Sequence, residues 1–163
     1  MSARLRPLQW LMRAIAGSRA GAWLLARTIH HLDRRLLRRR QDRWATSALA
    51  GLPTVLLTTT GARSGQPRGV PLVGIRDGEN IILIASYFGN PQHPAWYRNL
   101  TAHPECRVTS GGRSGDYRAH EATGAERERA WRLATTCYPN FASYQARLPN
   151  RVIPVMVLIP RDD

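Results

Sequence analysis

The chain has 163 residues, 43% of them hydrophobic, and a formal net charge of +13 from 24 basic and 11 acidic side chains. That length holds one domain with a real core, and it is too short for two ordinary domains once the first forty-odd residues are set aside. Every basic residue is arginine, whose planar fork suits phosphates and carboxylates, and the two cysteines, Cys106 and Cys137, lack CxxC spacing, which argues against a disulfide framework or zinc site and for reduced thiols in the cytosol.

Residues 1–44 hold eleven arginines against Asp33 and Asp42, so most of the positive field belongs to an N-terminal extension. Within it, "PLQWLMRAIAG" predicts a short helix from Pro7 to Gly17 with Trp10, Leu11 and Ile15 as its apolar side. From residue 21, Leu25, Ile29, Leu32 and Leu36 form one helical stripe, while Arg27, Arg34, Arg35, Arg38 and Arg39 fill much of the remainder. The pair resembles an interfacial membrane anchor; packing of the stripes on the domain, with the arginines solvated, is the alternative. No recognition motif or aromatic interleaving points to nucleic acid. The apolar run "AGAWLLA" at 20–26 is too short to span a bilayer and lacks a signal cleavage site. The predicted division is therefore an amphipathic extension over residues 1–50 and a domain over 51–163.

After Gly51 the pattern changes to strands, predicted at 53–60, 68–75, 80–86, 106–110, 115–122 and 152–159. Tight turns at "RDGEN" and "GGRSG" pair them as antiparallel hairpins, and Pro71 and Pro154 mark strand edges or bulges. Two helices interrupt the strands, one from about Pro94 to Ala102 and one from Thr123 to about Cys137, where Thr123 and Glu126 have capping-box spacing. In "YPNFASYQARLPN" that follows, Tyr138, Phe141 and Tyr144 lie three apart, so a helical segment gathers the rings on one side. The fold class is α+β, mainly β, with a barrel or sandwich core.

Three stretches could carry chemistry. In "TTTGARSGQPRGVPL" at 58–72, glycines allow close approach, Ser64 offers a hydroxyl, and Arg63 and Arg68 supply forked cationic donors; an ordinary hairpin loop is the plain alternative. In "ASYFGNPQHPAWYRNL" at 85–100, a strand end, a loop and a helix start make a candidate anion or ring site. There the plain reading makes Trp96 a core anchor, Asn99 a cap or loop tether, and His93 an exposed loop residue. The histidines lack metal-ligand spacing, so no metal is expected, and no nucleophile–base arrangement indicates hydrolysis. Basic loop, serine-bearing strand end, tryptophan helix and tyrosine cluster suit an extended anionic cofactor beside an apolar pocket.

Together "LLTTTGARSGQPRGVPL", "ASYFGNPQHPAWYRNLTAHP" and "YPNFASYQ" resemble, in order and spacing, the deazaflavin-dependent nitroreductase family, a branch of the split-barrel flavin-binding oxidoreductases. The resemblance covers about residues 52–160. It implies a split, FMN-binding-like β-barrel with flanking helices. It also implies coenzyme F420 rather than FMN as cofactor, and hydride transfer from the reduced deazaflavin to quinones, nitroaromatics or other activated unsaturated acceptors. The resemblance places Arg63, Ser64 and Arg68 at the phosphate and polyglutamate tail and Pro71 along the cofactor groove. Ala85, Ser86 and Gly89 fall near the deazaflavin ring or its ribityl chain, with Trp96 and Asn99 on the first turn of the helix closing the site. Tyr138 and Tyr144 border the substrate pocket, where a phenol could orient an acceptor oxygen or relay a proton; Ser86 is the other candidate donor. Departures from the family pattern, Val73, Tyr87, Phe88 and Phe141, reshape the acceptor side of that pocket and reduce its phenol count. The expectation is a cytoplasmic reductase of a lipid-soluble quinone, peripheral to the inner face of the membrane through residues 1–44. An F420- or lipid-binding module without turnover and a reductase of unsaturated acyl chains are the alternatives.

Overall fold

The computed structural model describes residues 51–161; the two helices predicted for the N-terminal extension and the predicted domain boundary near residue 50 lie outside them. Seven strands form one antiparallel sheet: β1 (Thr54–Thr60), β2 (Pro67–Val73), β3 (Ile75–Asp77), β4 (Asn80–Ile84), β5 (Glu105–Ser110), β6 (Arg113–Glu121) and β7 (Val155–Pro160). Their order across the sheet is β2-β1-β5-β6-β7-β4-β3, and the sheet curls until β2 touches β4, making a split half-barrel. Three helices complete it: α1 (Ala95–Ala102) follows a 3₁₀ turn at Tyr87–Gly89, and α2 (Gly124–Cys137) and α3 (Asn140–Ala146) run between β6 and β7.

The strand predicted over 68–75 divides in two. Gly74 donates its N–H to the Pro53 carbonyl at 2.9 Å, and a Cβ there would lie 2.7 and 2.8 Å from the two Val55 methyls and 3.3 Å from Ile81. The backbone thus turns where it passes closest to the barrel interior, and the described residues form seven strands in place of the six expected. Pro71 tolerates its missing N–H because β2 is a sheet edge, and Pro154 precedes β7.

The strands β4 and β7 read as unbroken apolar runs because both of their faces are covered. Ile81, Leu83, Met156 and Leu158 point into the barrel with Val55, Leu57, Trp96, Leu100, Cys106 and Val108. Ile82, Ile84, Val155 and Val157 point the other way, under α2 and α3, with Ala130, Ala134, Tyr138, Phe141 and Tyr144. Thr123 does precede α2, but its side chain makes no cap bond; Glu126 instead meets His120 Nε2 at 3.0 Å. The expected capping box is absent because a neighbouring strand takes its carboxylate.

Candidate functional site

The loop between β1 and β2 is bent by two backbone bonds, Gly61 N–H to the Gln66 carbonyl at 2.9 Å and Gly65 N–H to the Gly61 carbonyl at 2.8 Å. A Cβ on Gly61 would fall 2.6 Å from Ser64 Oγ and 3.2 Å from the Gln66 carbonyl, so a larger residue there would displace the serine. Arg63, Ser64 and Arg68 are all exposed on this loop. Ser64 Oγ accepts from Gln66 N–H and from Arg68 Nη2, each at 3.3 Å, which ties the serine to Arg68 on the exposed face of the loop.

The loop is bound to α1 by one side chain. Asn99 Oδ1 accepts from Ala62 N–H at 3.0 Å, and its Nδ2 donates to Thr59 Oγ1 at 3.0 Å. Thr59 is 2% exposed and Asn99 8%, so neither group has water as an alternative partner. Asn99 lies on the second turn of α1, not the first as expected, because the helix begins at Ala95. Trp96 is on the first turn and is buried in the barrel core. Pro71, half-buried on β2, pairs across to Leu56.

The other end of α1 is fed by the loop from the end of β4. Ala85 is fully buried and Ser86 is 7% exposed; among the described residues no hydrogen-bond partner holds the Ser86 hydroxyl. Three consecutive residues then take left-handed backbone, Tyr87 at φ 47°, Phe88 at 57° and Gly89 at 78°. Two non-glycine residues in that region store strain of about 1–3 kcal/mol each, sustained only where the surroundings fix the turn. Gly89 packs on α3, where a Cβ would sit 3.5 Å from Tyr144 Cα.

The sequence-predicted rings do gather. Tyr138 and Phe141 meet edge-to-face at 5.1 Å, and Tyr144 lies 6.3 Å from Tyr138, 6.4 Å from Phe141 and 6.3 Å from Phe88. Val73 and Phe88 join the same cluster, which unites four of the five predicted pocket and ring positions around Tyr144. The phenol hydroxyls do not extend into water: Tyr138 Oη and Tyr144 Oη are 3.2 Å apart, and Asn140 Nδ2 donates to Tyr138 Oη at 2.9 Å. Burial, with the neighbouring Tyr138, holds the Tyr144 phenol well above the usual tyrosine range, so it stays neutral and can donate.

His93 is half-buried rather than exposed. Its ring stacks 4.8 Å from Tyr97, and its Nδ1 lies 3.0 Å from Arg151 Nη2. Burial and the Arg151 charge both push its pKa below the ordinary histidine value. Arg151 and Thr59 were not predicted. Thr59 had a signal, since it occupies an inward position of the alternating "TVLLTTT" and a buried hydroxyl demands a partner. Arg151 had none, being one arginine among many. Among the described residues no group of three acidic, histidine or cysteine side chains could hold a metal ion, and no helix is long and apolar enough to cross a membrane.

Comparison with known proteins fits this arrangement. The model of the F420H(2)-dependent quinone reductase family matches residues 32–160. The chain is 36% identical over 112 residues to F420H(2)-dependent quinone reductase Rv1261c of Mycobacterium tuberculosis (strain H37Rv), covering 67% of this chain and 74% of that one. A solved F420-H2 dependent reductase, FDR-A, is 43% identical with a TM-score of 0.61, over 65% of this chain and 93% of its own. A second structure, described as a domain-swapped dimer, is 37% identical with a TM-score of 0.63, over 83% of this chain and 96% of its own. With a family match running from before β1 to the end of β7, this chain belongs to the F420H(2)-dependent quinone reductase family.

Proposed function

We propose that the chain reduces a hydrophobic quinone with reduced coenzyme F420 as hydride donor, in the space between the β1–β2 loop, the Ser86 strand end and the ring cluster. One observation carries this reading: α1 joins the two halves of the candidate site. Its second turn grips the arginine loop through Asn99, and the loop entering its first turn carries Ser86. Exposed arginine forks at one end and, at the other, an unpartnered hydroxyl on the largely buried Ser86 fit a cofactor with an anionic tail and a flat polar ring.

Bound F420H2 supplies the hydride, so no nucleophile is asked of the protein. In this reading Arg63 and Arg68 hold the anionic tail, with Ser64 setting the angle of Arg68 and Pro71 lining the groove. Ala85 and Gly89 shape the backbone beside the ring, and the Ser86 hydroxyl orients it. Trp96 and Asn99 act from beneath, one filling the barrel and one fixing the loop. Val73, Phe88 and Phe141 exclude water from the acceptor, and Tyr87 bounds it at the turn. Burial keeps the Tyr144 phenol protonated, and with Tyr138 Oη 3.2 Å away it offers that proton to an acceptor oxygen.

The finer location, a lipid-soluble acceptor approached at the inner face of a membrane, rests on the arginine-rich amphipathic pattern of residues 1–44. Loss of binding to anionic liposomes and of quinone reduction in membranes on deleting those residues is the expected result; no change in either defeats it. A second reading, a binding module without turnover, draws on Phe88 packed edge-on against Tyr144 across the cluster. Fluorescence titration with F420, followed by reoxidation of F420H2 with a quinone panel, separates the two. Accelerated oxidation supports the enzyme, binding alone supports the module, and FMN binding without F420 affinity overturns both.

A further inference from the structure

Arg151 stands in the segment between α3 and β7, and its guanidinium points at a loop some sixty residues earlier. Nη2 donates to the Ala85 carbonyl at 2.8 Å and to His93 Nδ1 at 3.0 Å, and Nη1 donates to the Asn90 carbonyl. These acceptors bracket the left-handed turn at Tyr87–Gly89. No carboxylate pairs with Arg151 among the described residues; its partners are two carbonyls and an imidazole, and its buried Nε has no partner at all. A half-buried cation held by neutral acceptors without a counter-ion is a costly arrangement, retained where it fixes geometry.

The base of this grip is itself tied down. Gln145 Nε2 donates to the Arg151 carbonyl at 2.7 Å, and Gln145 Oε1 accepts from Ile153 N–H at 2.8 Å. Gln145 follows Tyr144 on α3, so neighbouring residues of one helix reach the same turn by two routes. Tyr144 packs on Phe88 and Gly89 directly, while Gln145 holds the arginine that holds the carbonyls on either side.

We propose that Arg151 is a positioning residue of the reductase: by holding the Ala85 and Asn90 carbonyls and the His93 ring, it keeps the Tyr87–Gly89 turn in the left-handed form that receives the cofactor ring. This rests on the cofactor reading above. His93 makes the grip sensitive to protons, because the Arg151 guanidinium can only donate and Nδ1 must therefore be the bare acceptor. A proton on Nδ1 removes that bond and sets two cations against each other. The charged and titratable groups around the imidazole are Arg151, Arg98, whose Nη2 donates to the His93 carbonyl at 3.0 Å, Tyr97, and Glu121, to which Tyr97 Oη donates at 2.7 Å.

The test uses the full chain with Arg151→Lys, Arg151→Met and His93→Asn, read by F420 fluorescence titration and by amide hydrogen exchange without cofactor. In both Arg151 variants F420 dissociation rises about tenfold, equivalent to about 1.4 kcal/mol, and exchange quickens at residues 87–93 while the β1–β2 loop keeps its rate. Lysine reaches one acceptor of the three, so it retains folding if methionine does not. Asparagine presents an amide oxygen in place of Nδ1 and takes no proton; affinity of the unaltered chain therefore falls as acid protonates His93, while that of His93→Asn stays level. Unaltered affinity and exchange in a folded Arg151 variant overturn the proposal, as does quickened exchange spread equally over the β1–β2 loop. If the unaltered chain binds no F420, the cofactor reading fails, and the exchange rates at 87–93 alone decide the role of Arg151.

Discussion

Asn99 and Thr59 meet at 3.0 Å in the interior, on two elements that are 40 residues apart in sequence. The contact makes the arginine loop part of the barrel rather than a free hairpin, since the same amide also holds Ala62 N–H. Replacing Asn99 by alanine takes from the Thr59 hydroxyl its donor, leaving only its own bond to the Arg68 carbonyl at 3.4 Å, and frees the Ala62 N–H. We expect a stability loss of about 1–3 kcal/mol in urea denaturation, and weaker F420 binding because the loop then wanders. A variant with wild-type stability would show that water takes over both partners.

Charge removal on the loop should separate binding from folding. Arg63 and Arg68 are exposed and bear little of the fold, so alanine at both leaves the melting temperature within the range of ordinary surface changes, about 0.5 kcal/mol. Each lost charge-assisted contact costs about 1.5–3 kcal/mol of cofactor binding, and the remaining affinity depends less on salt. Equal losses of stability and affinity would place these arginines in the fold instead.

Much of this was legible in advance, for definable reasons. The hairpins followed from turn glycines, and α1 and α2 fell within a residue of their predicted limits because Pro94, His103 and Thr123 bound them. Spacing gathered Tyr138, Phe141 and Tyr144, as local geometry can. What stayed hidden depends on contacts between distant residues. Gly74 breaks a strand because Val55 and Ile81 lie against it, and Arg151 matters because of carbonyls near residue 90; no local pattern carries either fact. His93, taken alone, reads as a loop histidine until Arg151 and Tyr97 close over it.

Two glycines should therefore respond differently to alanine. At Gly74 the added methyl meets Val55 at 2.7 Å inside a packed barrel, so Gly74→Ala should cost more than the usual overpacking range of about 1–3 kcal/mol. At Gly65 nothing lies within 4 Å, and the cost is the backbone alone, at φ 65°. About 1 kcal/mol is expected there. Equal destabilisation by the two, measured under one denaturant, would mean that β2 can slide away from Val55.

Alkaline pH should weaken the fold through two buried acids. Burial, reinforced by Asp116 and Glu105, raises the Cys106 thiol to about 12 from an ordinary value of 9.0, and burial with Tyr138 raises the Tyr144 phenol. Both folded-state values exceed their unfolded ones, so the stability they contribute is complete below pH 9 and is lost as pH climbs from 9 towards 12 for the thiol, and above 10 for the phenol. Denaturation midpoints should fall steadily over that window, with a shallower slope in Tyr144→Phe, which removes one of the two groups. Iodoacetamide at pH 8 should label Cys137, which is partly exposed, and reach Cys106 only on unfolding. Rapid modification of Cys106 in the folded chain would mean that β5 opens on its own, and the alkaline slope would then report strand fraying in place of buried-acid titration.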